Sequence, residues 1–146
     1  MVKETGKKME DIVTVAAVNF RSKWGDKADN LHRMKGYIRT AAKQGADITL
    51  FPETALTGYS VKDDTPDMQR KNAETVPGPS TLELSLLTQE FGVYVVLGMP
   101  ERDAVHPDVI YNSAAVIGPD GVIGAYRKIH PAGKESLWAT KGSEGF

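Results

Sequence analysis

Apolar positions in this chain follow two rhythms. Ile12, Val13, Val15, Ala16, Ala17 and Val18 form a nearly unbroken run, as do Ile48, Thr49, Leu50 and Phe51, and then Val93 to Pro100. Short continuous runs of this kind predict strands covered on both faces. Between the first two, Ala28, Leu31, Met34 or Lys35, Ile38, Ala41 and Ala42 recur at spacings of three and four, which predicts a helix with one apolar face. Asp26 with Asp29 is its cap and Gly45 its stop. A second helix is expected after Val76-Pro77-Gly78-Pro79, with Ser80 and Glu83 as a capping box, Leu82, Leu86, Leu87 and Phe91 as the buried face, and Gly92 as the stop. Two further strands, over 109–117 and 122–127, are joined by Gly118-Pro119-Asp120-Gly121, which suits a type I turn with a bulge.

The order β-α-β-α-β-β-β predicts an α/β layered domain with helices on one face and a right-handed parallel crossover at its start. Residues 1–10 read as a loose polar tail, 11–146 as the domain, and 60–76 as a long surface excursion of the kind that often serves as a lid. After Lys128 the chain looks irregular, so nothing in it offers to cover the second apolar face of the sheet.

Composition narrows the function. The 146 residues are 40% hydrophobic and 25% charged, which is ordinary for one soluble globular domain. A net charge of −1 without a basic stripe argues against nucleic acid as a partner. No apolar run approaches the roughly 18 residues a membrane span needs, and the charged start does not resemble a secretory signal, so a cytoplasmic location is expected. The three histidines, His32, His106 and His130, lack ligand spacing, and no Gly-rich phosphate loop is present; neither a metal nor a nucleotide cofactor is expected. There is no cysteine, which removes disulfides and any thiol nucleophile from these residues.

Three charged positions stand out by placement. Pro52 ends the strand over 48–51, which puts Glu53 just past its carboxyl end, where a carboxylate either caps a turn or works as a base. Lys128 follows the last strand and reads either as a solvated edge lysine or as a site residue. Glu135, seven residues on, is an exposed loop carboxylate unless the loop folds back. Tyr59 either packs or lines a substrate pocket.

Five segments carry a resemblance: Phe51-Pro52-Glu53 with Leu56-Thr57-Gly58-Tyr59, then Val76-Pro77-Gly78-Pro79, then Tyr111-Asn112-Ser113-Ala114, then Gly118-Pro119-Asp120-Gly121, and last Tyr126-Arg127-Lys128-Ile129-His130. In this order, from about residue 12 to the end, the chain resembles the carbon–nitrogen hydrolase (nitrilase) superfamily. The resemblance implies a four-layer α-β-β-α sandwich of which this chain holds the first half, one side of the fold. It implies a Glu-Lys-Cys catalytic set with Glu53 as general base, Lys128 as the catalytic lysine and Glu135 as a supporting carboxylate. The thiol would belong on a later strand end, outside these residues. Implied too are a small amide or nitrile as substrate and a homo-oligomeric full-length protein. The alternative is a non-catalytic split or degenerate member that binds a partner through its open sheet face.

Overall fold

The computed structural model describes residues 12–59 and 65–143. The tail expected over 1–10 lies outside these residues, as do 60–64 of the excursion. Five strands, β1 (Val15–Ala17), β2 (Ile48–Leu50), β3 (Tyr94–Arg102), β4 (Ile110–Gly118) and β5 (Gly121–Arg127), form one sheet in sequence order. β1, β2 and β3 run parallel, and β3, β4 and β5 antiparallel. The connections explain this mixture: helical crossovers feed the parallel strands, whereas Pro119 and Asp120 turn β4 directly into β5.

Helix α1 (Lys27–Lys43) begins where the Asp26 carboxylate accepts the Asp29 N–H, and it ends before Gly45, whose φ of 84° only glycine adopts freely. Its Leu31, Met34, Ile38 and Ala41 are buried, as the periodicity predicts. Each of the larger three contributes about 1.5–3 kcal/mol by leaving water.

Three expectations change. The excursion is not irregular throughout, since Thr65–Asn72 forms helix α2. Its buried Gln69 accepts a hydrogen bond from Thr57 Oγ1 (2.7 Å) and donates one to the Gly58 carbonyl (3.0 Å), tying α2 to the turn after β2. Helix α3 (Pro79–Phe91) starts two residues early, with Pro79 in its first turn and Gly78 as cap. Ser80 therefore lies inside the first turn and meets Glu74, which accepts from both its N–H (2.8 Å) and its hydroxyl (3.0 Å). Glu83 pairs with Lys35 of α1 rather than closing a capping box. The same phase turns Leu84, Leu87 and Thr88 inward and leaves Leu82 and Leu86 exposed. The end of the chain is also ordered in part: Gly133–Leu137 forms a 3-10 turn, and Trp138 and Ala139 pack on Ile110 of β4.

Register defines the two sheet faces. Ala16, Thr49, Val95 and Ile117 are cross-strand partners on the face that α1 and α3 cover, and Thr49, Val95 and Ile117 are buried there. On the other face the partners Ala17, Leu50, Val96 and Val116 lie in one row, and Val15, Ile48 and Tyr94 in the next. Val15, Leu50 and Tyr94 are exposed. This face is apolar and carries no covering layer among the described residues, so β1 is covered on one face rather than on two. No helix among the described residues is long and apolar enough to cross a membrane.

Candidate active site

Three loops meet at the rim of the bare face. The first is the turn after β2. Phe51 N–H still pairs with Val96 (3.0 Å), but Pro52 ends the ladder, and Leu56 N–H reaches the Gly98 carbonyl of β3 (3.2 Å). Asn30 Nδ2 on α1 donates to the Leu56 carbonyl, and Ser22 Oγ to that of Ala55. Ala55 and Leu56 are fully buried. Thr54 sits in the left-handed region at φ 46° with its hydroxyl buried and unpaired among the described residues, so the turn is held against strain by its surroundings. The Glu53 side chain projects from this anchored turn and stays 42% exposed.

The second loop leaves β5. Alternation places Arg127 and Lys128 on opposite faces. The Arg127 guanidinium stacks on the Tyr111 ring (4.0 Å) and bonds to Glu101 and Asp103. Buried Glu101 also accepts from Ser113 Oγ (2.6 Å). With its neighbour pinned this way, Lys128 turns toward the bare face, and its own N–H donates to the Asn112 carbonyl (2.8 Å).

The third loop carries Glu135 in the 3-10 turn. Thr140 N–H bonds to Ile110 (2.7 Å) and Gly142 N–H to Lys128 (2.9 Å), folding the loop back onto the ends of β4 and β5. Glu135 is thereby buried rather than exposed.

Glu53, Lys128 and Glu135 meet directly. Lys128 Nζ donates to Glu53 Oε1 (2.6 Å) and to Glu135 Oε2 (2.7 Å). Asn112 Nδ2 donates to Glu53 Oε1 (2.7 Å) and to Glu135 Oε1. Among the described residues Glu53 accepts from these two side chains and from no backbone N–H, so it caps no turn among them. Burial pulls the Lys128 ammonium toward neutrality, but the hydrogen bonds and charges of Glu135 and Glu53 outweigh it and hold its pKa above the ordinary lysine value. Burial likewise pushes the Glu135 carboxyl up, and its bonds from Lys128, Asn112 and Ala132 N–H outweigh that and hold it below the usual range. A permanent cation next to a partly free carboxylate is suited to stabilising an oxyanion while the carboxylate moves a proton.

Glu53, Asn112 and Lys128 border an open cleft of about 250 Å³, with Leu50, Phe51, Val96, Gly98, Ala114 and Tyr126 among its walls. Tyr59 does not line it. Tyr59 borders a smaller hollow on the far side of Glu135, together with Thr65, Gln69, Ala132, Lys134 and Trp138. His130 is exposed, and no group of three or more His, Asp or Glu among the described residues could hold a metal ion. Sequence reasoning did not single out Asn112 as a site residue. The available signal was a carboxamide inside a largely apolar strand.

The carbon-nitrogen hydrolase family profile matches residues 14–143, and the chain belongs to that family. It is 37% identical over 136 residues to a protein named nitrilase from Pyrococcus abyssi (strain GE5 / Orsay), covering 92% of this chain and 50% of that one. It is 42% identical over 106 residues to human omega-amidase NIT2, covering 71% of this chain and 36% of that one. The chain thus spans half or less of the length of these curated relatives. Among solved structures, the crystal structure of an N-terminal amidase superposes with a TM-score of 0.75 at 28% identity, over 89% of this chain and 31% of that one. A Nesterenkonia amidase at 19% identity shares the fold with a TM-score of 0.74, over 90% of this chain and 49% of its own.

Proposed function

We propose that this chain supplies the base and the ammonium of a hydrolase site that cleaves a non-peptide amide or nitrile carbon–nitrogen bond through a thioester, the thiol coming from outside these 146 residues. The observation that carries the reading is the Lys128 ammonium bracketed by Glu53 and Glu135 at the edge of an apolar cleft. In this scheme Glu53 takes the thiol proton, and the thiolate adds to the amide carbon. Lys128 faces the oxyanion that forms. Collapse of the intermediate breaks the C–N bond as Glu53 returns the proton to the departing amine. Glu53 then takes a proton from water, whose hydroxide opens the thioester and releases the acid and the thiol. Glu135 is too fully hydrogen-bonded to act as a second base, and its work is to hold Lys128.

The test joins these residues to a carboxyl-terminal family segment that bears the thiol and follows acyl-enzyme formation by mass spectrometry. Glu53→Gln and Lys128→Met should each abolish the adduct while the circular dichroism spectrum stays native. Normal turnover by the Glu53→Gln protein would end the reading.

A second reading is favoured by one observation, the absence of any cysteine. On that reading the chain binds a partner through its bare sheet face and catalyses nothing. The intact mass of the native protein separates the two: a mass well above 15.9 kDa supports the hydrolase, and a mass equal to it supports the binding protein.

A further inference from the structure

We infer that Asn112 is the positioning residue of this site: its carboxamide ties Glu53 to Glu135 and leaves Oε2 of Glu53 as its one oxygen without a donor among the described residues. The catalytic use of that oxygen rests on the hydrolase reading; the geometry does not.

The donor count makes the argument. A carboxamide nitrogen has two hydrogens, and Asn112 spends one on Glu53 Oε1 and the other on Glu135 Oε1. The opposite orientation of the amide would set its oxygen against two carboxylates, so electrostatics fixes the assignment. Glu53 Oε1 then holds two donors, Asn112 Nδ2 and Lys128 Nζ, while Oε2 has none among the described residues. Glu135 has no such oxygen, because Oε1 takes Asn112 and Oε2 takes both Lys128 and Ala132 N–H (3.1 Å). Two carboxylates of unequal freedom result from one asparagine.

Asn112 holds the cation as well, since its carbonyl accepts the Lys128 N–H. It does so from β4, an interior strand, with its residue only 4% exposed, whereas Glu53, Lys128 and Glu135 all stand on loops. The other groups nearby are Tyr126, which lines the same cleft, and Glu101 and Arg127, which lie on the opposite face. Aspartate at this position would gather a third negative charge around one ammonium, and alanine would leave two carboxylates to repel each other.

The test is NMR on the full chain. Both side-chain amide protons of Asn112 should exchange with water about tenfold more slowly than those of an exposed carboxamide, the weight of one net hydrogen bond each. Glu53→Ala should release one of the two protons and Glu135→Ala the other. In Asn112→Ala the Glu135 carboxyl should titrate closer to the ordinary glutamate value, a shift that a purely structural strand residue would not cause. Fast exchange of both protons, insensitivity to either glutamate replacement, or an unchanged Glu135 titration in Asn112→Ala would overturn the proposal. Should Asn112→Ala fail to fold, the protons of the native chain and of Glu53→Ala decide. Loss of the hydrolase reading in the acyl-enzyme assay would leave protected protons in place, so the two failures are distinguishable.

Discussion

Gly98 is the position through which the sheet sets Glu53, and replacing it with alanine has a calculable effect. A methyl carbon there would lie 2.3 Å from the Pro52 carbonyl oxygen, 2.8 Å from Thr54 N and 2.9 Å from Glu53 Cα, where ordinary contact begins at 3.4 Å. All three atoms are backbone, so no side chain can swing aside. The turn must retreat by about 1 Å from β3, an overpacking that costs about 1–3 kcal/mol. The Leu56 N–H bond to the Gly98 carbonyl, already 3.2 Å long, stretches in the same movement and costs about 1 kcal/mol more. We therefore expect Gly98→Ala to destabilise the fold by about 3 kcal/mol, a large share of a typical domain's margin. The moving atom is the Glu53 Cα, so the 2.6 Å contact with Lys128 opens, and the Lys128 titration should move down toward the ordinary lysine value. Urea unfolding with an unchanged m-value measures the first effect, and carbon NMR of the Lys128 side chain the second. Gly124→Ala, in β5 with open space around its added carbon, is the control. Stability of Gly98→Ala within about 0.5 kcal/mol of native, with Lys128 unmoved, would show that the close approach of β3 does not position Glu53.

Other outcomes follow from the same geometry. Lys128→Met leaves buried Glu135 without its cation and should cost about 2–4 kcal/mol in urea unfolding, whereas Glu53→Gln, at a carboxylate 42% exposed, should cost under about 1 kcal/mol. Because the folded pKa of Glu135 lies below its unfolded value, its contribution is present above the ordinary 4.5 and lost as the pH falls through the folded value. Lys128 is raised, so its contribution is present below the ordinary 10.5 and lost as the pH rises through the folded value. Unfolding midpoints measured across both limbs should show the two declines, and Glu135→Gln should flatten the acid one. The bare face with Val15, Leu50 and Tyr94 should bind a hydrophobic dye and promote self-association of the isolated chain, and Leu50→Lys should reduce both, as read by fluorescence and light scattering.

The elements with a clear local cause were legible in the sequence. Asp26 and Gly45 bound α1, and Gly118 to Gly121 turn β4 into β5, because caps and turns are decided by neighbouring residues. Helix α3 was legible in existence but not in phase. Leucines at 82, 84, 86 and 87 fit two faces, and Pro79 with Glu74, a contact from outside the helix, chose between them. Helix α2 has little apolar periodicity, and what anchors it is Gln69 reaching the turn at Thr57 and Gly58. At the site, strand ends pointed to Glu53 and Lys128. Glu135 and Asn112 depended on a loop folding back and on which face of β4 meets the turn, and local pattern carries neither.

Acyl-enzyme formation tests the central claim most directly. With the thiol-bearing segment supplied and a short amide added, the native sequence should show a thioester adduct by intact mass, and Glu53→Gln should show none. An adduct formed at the native rate without the Glu53 carboxylate would contradict the account.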